Sequence, residues 1–247
     1  MHTPDEETLS EPNATIHGDI ARLARVLHGP SEADVKPDAV LRQVTSSAVA
    51  LLPMVDHAGV TLVHRRSGRG LPELESTAET GNVPRQFDDL QHEYGDGPCF
   101  EAIWAHRTVT IPDFRTEERW PKLVAGVLDQ TPVLSTLSIQ LFLTDRELGA
   151  LNLHSESADA FDEEIEDLAT TLATHAAIAL STARRGEQFR SALASRDIIG
   201  QAKGIIMERY DTDALHAFDI LRRLSQDTNT PVADVAKRLV EADHPER

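Results

Sequence analysis

Only one cysteine, Cys99, stands among the 247 residues. That excludes an internal disulfide and leaves no set of thiolates for a structural zinc. Aromatic residues make up 4% of the chain, and only Tyr210 and Phe218 follow Phe189. A groove of stacked rings for single-stranded nucleic acid is therefore not expected in the C-terminal part. No apolar run approaches the roughly 20 residues that cross a bilayer. Met1-His2-Thr3-Pro4-Asp5-Glu6-Glu7 carries neither the basic nor the apolar stretch of a secretory signal, so a cytoplasmic location without a membrane partner is expected. There is no GxGxxG or GxxxxGKS/T phosphate loop and no GxSxG elbow, so nothing points to catalysis. Eleven histidines form no HExxH pair, and the one carboxylate-rich spacing is His92 with Glu93 and Asp96. No metal site is expected and no cofactor is named, although one haem-ligating histidine in a sensor cavity stays open.

What is abundant is acid. The net charge is −17, which on its face opposes nucleic-acid binding. The excess is unevenly placed. Residues 184–247 hold eleven basic and eleven acidic side chains, so the whole negative excess lies in the first 183. A neutral tail can present a basic face, while an acidic partner domain discourages indiscriminate RNA binding.

Residues 1–14, with Pro4 and Pro12, read as a disordered arm. Ile16, Ile20, Leu23, Ala24 and Leu27 recur at helical spacing, and Val40, Val44, Ala48 and Leu51 mark a second helix that Pro53 stops. Strands are predicted over 59–64, 108–111, 134–143 and 149–154. In the third, Leu137, Ile139, Leu141 and Leu143 alternate as in a strand with one buried face, and the gap over 144–147 predicts an antiparallel hairpin with the fourth. Helices beside antiparallel strands make this an α+β arrangement. From Asp162 a long helical run carries Ile165, Leu168, Leu172, Ala176, Ala179 and Ala183, with Phe189 and Leu193 beyond. Such a stripe pairs helices, and a homodimer is expected from it; a helix packed on its own sheet is the alternative. His175 belongs to the interface or core, and Gly186 interrupts the stripe as a weak point or hinge.

Three shorter helices follow. The first places Ile198, Ile199, Ala202, Ile205 and Ile206 inward, and Asp213 is positioned to cap the next. There Ala214, Ala217, Phe218, Leu221 and Leu224 form the buried stripe. Thr230-Pro231 reads as N-cap and first-turn proline of the last helix, with Val232, Val235, Ala236, Leu239 and Val240 inward. Outward lie Arg196, Lys203, Arg209, Arg222, Arg223, Lys237 and Arg238, suited to phosphates, and Gln201, Ser225 and Asn229, suited to unstacked bases. Gly204 sits mid-helix, where glycine is costly; a close neighbour, an RNA backbone or a bend would each account for it.

Two resemblances rest on these residues. Ser195-Arg196-Asp197-Ile198-Ile199-Gly200-Gln201-Ala202-Lys203-Gly204-Ile205-Ile206-Met207-Glu208-Arg209, then Ala217 to Ser225, then Val232 to Val240 resemble, in order, the ANTAR module of transcription antitermination regulators. Gly97-Pro98-Cys99-Phe100-Glu101-Ala102, Val109-Thr110-Ile111-Pro112-Asp113, Trp120-Pro121, Leu148 to Leu153 and Ala160-Phe161-Asp162 resemble a GAF sensor domain. They imply a GAF-like antiparallel sheet flanked by helices over 15–183, ending in a long helix, and an all-α three-helix ANTAR-like domain over 184–247. The implied function is a signal-responsive antiterminator that binds paired RNA stem-loops; the rival is a small-molecule or redox sensor whose tail mediates only dimerisation or protein contact. Tyr94, Cys99, Phe100, Trp104 and His106 line a sensor pocket or, equally, the core. Cys99 is either a reactive thiol, or tetrapyrrole anchor, at a helix start or a small buried residue of the Gly-Pro-Cys turn, and the second reading is favoured.

Overall fold

The computed structural model describes residues 36–64, 73–105, 107–143 and 146–243, together with Gly18. The arm over 1–14, the helix expected over 16–27 and the ligand candidate His106 lie outside the described residues. Contacts between α-carbons divide the chain into two compact units, Met1–Arg184 and Arg185–Arg247.

In the first unit proline sets where helices begin. α1 (Pro37–Leu51) opens on Pro37, α3 (Pro98–Trp104) on Pro98 and α4 (Pro121–Gln130) on Pro121; the ring fixes a helical φ where the missing N–H has no intrahelical partner. α2 (Asn82–Tyr94) ends at Gly95 in the left-handed region. The strands are β1 (His57–His64), β2 (Glu73–Thr77), β3 (Val109–Ile111), β4 (Ser135–Leu143) and β5 (Arg146–Ser155). They form one sheet in the order β2-β1-β5-β4-β3, and every neighbouring pair is antiparallel. The predicted hairpin is β4–β5. β2 was not anticipated, because Glu73-Leu74-Glu75-Ser76-Thr77 is a polar, half-exposed edge strand without a hydrophobic run.

The expectation of one buried face on β4 is corrected. Leu137, Ile139 and Leu141 join Ala58, Val60 and Leu62 of β1 and Leu151 and Leu153 of β5 in an aliphatic core, but Thr136 and Ser138, which alternate with them, are also buried. Two layers cover the sheet. α1 and the start of α5 (Glu163–Tyr210) pack on the aliphatic face, whereas α2, α3 and α4 close a second core with Val63, Val109, Ile111, Phe114 and Ala150.

α5 starts at Asp162, whose carboxylate accepts the Ile165 N–H at 2.9 Å. Glu163, Glu164 and Glu166 fill its first turn, where acids favour the helix dipole. Ile165, Leu168, Leu172, Ala176, Ala179 and Ala183 are all buried in the aliphatic core of their own unit. This corrects the pairing stripe: the alternative, a helix packed on its own sheet, describes these six residues. The sheet has a whole apolar face to cover, and its claim on the stripe is met first. Phe189 and Leu193, by contrast, are exposed.

The second unit holds the last turns of α5, α6 (Ala214–Thr228) and α7 (Val232–Asp243). Its small core is Ala202, Ile206, Ala217, Leu221 and Ala236, with Ile198, Ile199, Met207, Ile220 and the expected α7 residues packed around them. Asp213 caps α6 as expected, accepting from the N–H groups of Leu215 and His216 at 2.9 and 2.8 Å. The α6 stripe is corrected. Ala214, Phe218 and Leu224 are exposed and Ile220 takes the inward place, because a three-helix core of alanines admits only a narrow face. Ile205 is likewise half-buried, with Met207 packed instead. The start of α7 also shifts: Thr230 donates its hydroxyl to Thr228, while the Pro231 carbonyl accepts from Asp234 and Val235, so proline stands one place before the helix.

Gly149 has φ +150°, and a Cβ there would collide with the Thr61 carbonyl of the neighbouring strand. Gly149→Ala is expected to cost about 3 kcal/mol through strain and strand separation, read as a lower urea midpoint for unfolding of the full chain.

Candidate sensor core and nucleic-acid interface

The second face of the sheet is where the first unit departs from a simple hydrophobic core. Along the middle of this face the side chains are small or polar, Gly59 and Thr61 of β1, Thr136 and Ser138 of β4, Ala150, Asn152 and His154 of β5, while Val63 of β1 and Val109 and Ile111 of β3 give it apolar margins. Gly59 and Ser138 both lie opposite Asn152 in the register. Asn152 donates to Thr61 Oγ1 at 3.0 Å and accepts from Ser138 at 2.9 Å. His154 Nδ1 lies 2.9 Å from Thr136 Oγ1, and its ring packs on Phe87 with centroids 4.4 Å apart. From α2, Gln91 donates to Asp88 Oδ1 at 3.1 Å and accepts the Cys99 N–H at 2.9 Å, tying the start of α3 to α2.

Among the described residues Asp88 Oδ2 and His154 Nε2 are buried without a hydrogen-bond partner. Burial is the leading cause of three shifts on this face. It raises Asp88 to about 7, lowers His154 to about 3, and pushes the Cys99 thiol up to about 12, with the Asp88 charge adding to the rise. A low-dielectric surrounding disfavours the charged form of each, so that Cys99 and His154 are neutral near pH 7 while Asp88 titrates there. Cys99 follows Pro98 at the start of a helix, but as a buried neutral thiol it is not the reactive species.

Tyr94 is half-buried against the second core and Phe100 is half-buried, edge to face with His92 at 5.8 Å. Trp104 is exposed. Asp88, Gln91, Thr61, Ser138, Asn152 and His154 were missed by sequence reasoning. For the four strand residues the signal was present as polar residues at alternate positions, read as a solvent face; Asp88 and Gln91 lie on α2. Among the described residues no three His, Cys, Asp or Glu side chains cluster to hold a metal ion, and no helix is long and apolar enough to cross a membrane.

In the second unit most of the candidate RNA contacts reach solvent. Arg196, Gln201, Gly204, Arg209, Arg222, Arg223, Asn229, Lys237 and Arg238 are exposed and Lys203 is half-buried. Carboxylates occupy three of the cations: Arg209 pairs with Asp243, Arg222 with Asp219 at 3.1 Å and Lys237 with Glu241 at 3.8 Å. Among the described residues no carboxylate pairs with Arg196, Lys203, Arg223 or Arg238. Ser225 and Asn229 have structural tasks. The Ser225 hydroxyl donates to the Thr230 carbonyl at 2.6 Å, and Asn229 closes α6 in the left-handed region at φ 47°. A Cβ on Gly204 would meet nothing within 4 Å, so no neighbour among the described residues requires glycine there.

An α+β unit with a two-faced sheet, followed by a three-helix unit with outward cations, makes a two-part architecture. The GAF domain family matches residues 35–181 and the ANTAR domain family residues 187–240. The chain belongs to the GAF family and carries a C-terminal ANTAR domain. These are regulatory rather than catalytic domains; ANTAR domains are RNA-binding antitermination regulators. Solved structures are similar at low identity. The phytochrome photosensory core module of Stigmatella aurantiaca is 14% identical, with 87% of this chain and 45% of that one covered and a TM-score of 0.51. A free methionine-R-sulfoxide reductase from Neisseria meningitidis is 19% identical over 75% of this chain and 99% of that one, TM-score 0.48. The GAF domain of a phosphoenolpyruvate-protein phosphotransferase from Coxiella burnetii is 17% identical over 73% and 99%, TM-score 0.49. No curated protein sequence matches the chain.

The two buried groups Asp88 and His154 make opposite contributions to stability. Asp88 stabilises the native state fully below about 4 and loses that contribution as pH rises through about 7; His154 contributes fully above about 6.5 and loses it as pH falls through about 3. The stability of Asp88→Asn relative to wild type is therefore expected to rise on the order of 3–4 kcal/mol between pH 4 and 7. His154→Gln should gain on wild type in the opposite direction, as pH falls from 6.5 to 3. Urea midpoints across a pH series read both.

Proposed function

We propose that the chain is a signal-responsive regulator that binds paired stem-loops in nascent RNA and acts by antitermination, holding the RNA in a form that excludes a terminator. The observation that carries this reading is the pairing of an ANTAR match over 187–240 with cations on that same segment, Arg196, Lys203, Arg223 and Arg238, that no carboxylate neutralises among the described residues. Unpaired cations hold phosphates and release counterions on binding. Arg209, Arg222 and Lys237 serve this purpose less directly, because RNA must first displace their carboxylates. Ser225 and Asn229 act by shaping the α6–α7 turn rather than by touching bases.

The GAF part supplies the signal. A ligand that binds one arrangement of the first unit better than another shifts the population of forms competent for RNA, and the differential affinity sets the size of the shift. α5 contributes residues to both units and is the element through which we propose the signal passes. Domain limits at 15–183 and 184–247 and a cytoplasmic site accord with this role. The working unit is a homodimer, supported by Phe189 and Leu193, which are 66% and 45% exposed on α5; exposed apolar side chains at a spacing of four invite a partner helix. The same residues favour the rival reading, a sensor whose tail only dimerises.

Full-length protein is expected to shift a tandem stem-loop RNA in a gel, with affinity falling as salt rises. Arg196→Glu combined with Lys203→Glu should weaken binding about 100-fold and reduce the salt slope by about two, with the sedimentation mass unchanged. Wild-type protein that binds no such RNA at low salt would leave the dimerisation-only reading standing.

A further inference from the structure

The sequence places Phe218 inside the tail's core, and the structure places it outside, 37% exposed. It faces a groove of about 560 Å³ formed wholly within the second unit. The α5 side of that groove is one helical face, with Ala192, Arg196, Ile199, Gly200 and Lys203 at spacings of three and four. Ala192, Ile199 and Phe218 make its walls apolar, and Arg196 and Lys203 are its charged residues. No acid lines it.

We infer that this groove is a nucleobase site, in which Phe218 stacks on one unpaired base of the RNA loop while Arg196 and Lys203 hold the flanking phosphates. The inference rests on the RNA-binding reading above and adds to it a location and a chemical class of ligand. A flat, weakly polar ring beside anionic phosphate is the group that an apolar, aromatic-walled groove with two cations and no carboxylate selects. The alternative occupant, a second copy of the chain docking by this face around a twofold axis, would gather Arg196 and Lys203 of both copies into one interface. Like charges so gathered oppose that arrangement.

Gly200 points the same way. Glycine is among the costliest residues in a helix interior, and a Cβ at 200 would meet nothing within 4 Å. Packing inside the protein therefore does not require its bareness, whereas a flat ligand lying on the helix backbone does. Gly204, one turn further along, is open in the same way and extends the bare strip beside Lys203.

The probe is obtained by selecting, with full-length wild-type protein, from tandem stem-loop RNAs whose loop nucleotides are randomised. Affinities are then read by fluorescence anisotropy at fixed salt. Phe218→Ala, which removes the ring, and Gly200→Leu, which fills the groove while improving the helix, are each expected to weaken binding about tenfold. Phe218→Tyr should stay within about twofold, since the stacking face is kept. Replacing one loop nucleotide by abasic ribose should weaken wild type by the same factor and leave Phe218→Ala unaffected further. If the Phe218→Ala and abasic losses multiply at every loop position, or Gly200→Leu binds as wild type does, the base site is overturned. A change in sedimentation mass for the groove variants with RNA affinity intact would overturn it too and assign the groove to a second copy. Wild-type protein that retains no RNA from the pool at low salt fails the RNA reading itself; wild-type binding with indifferent groove variants fails this inference alone.

Discussion

A five-stranded sheet buried on both sides constrains everything else in the first unit. Alternation along each strand sends one set of side chains to each face, so a sheet with two covered faces must solve two packing problems with one sequence. Here the solutions differ in kind. The aliphatic face of β1, β4 and β5 is satisfied by shape, with α1 and the start of α5 laid over it. The other is apolar at its margins and satisfied by hydrogen bonds in its middle, because Thr61, Ser138 and Asn152 are buried there and must find partners among themselves. α2, α3 and α4 close over this second face, and the shifts of Asp88, Cys99 and His154 follow first from that closure and only second from the charges beside them.

The demand of the aliphatic face also decides what α5 can do. Its alanine-rich stripe is complementary to another helix and to a sheet alike, and the nearest claimant is the sheet in the same unit. Beyond residue 184 the same helix meets a core of a few alanines, Ile206 and Leu221, too narrow to cover its apolar residues. Phe189 and Leu193 are left in water, and on α6 so are Phe218 and Leu224. One helix thus has a partner in hand along its first half and exposed apolar surface along its second.

Much of the architecture was legible in the sequence, and the reasons for the misses are physical. Leu137, Ile139 and Leu141 announce a strand at period two, and the gap after residue 143 announces a hairpin. Asp213 announces a cap. β2 was invisible because an edge strand of Glu73, Glu75, Ser76 and Thr77 has no hydrophobic signal. The polar face was misread because periodicity reports that two faces differ, without reporting that both are covered. Phe218 was misplaced because helical spacing gives a direction but not the width of the core it points to, and a core of alanines is narrow. Of the candidate tail residues the outward cations were legible from their position off the apolar stripe. The structural tasks of Ser225 and Asn229 depend on the geometry of a turn that spacing does not encode.

The chain of hydrogen bonds through Asn152 has an evolutionary reading. On the aliphatic face, residues of similar volume can replace one another singly, each step costing little. On the polar face, changing Asn152 alone strands both Thr61 and Ser138, since each spends its bond on the same amide. Replacement there without stranding a buried polar atom calls for coordinated change at all three, so the polar side of the sheet admits fewer single steps than the aliphatic side.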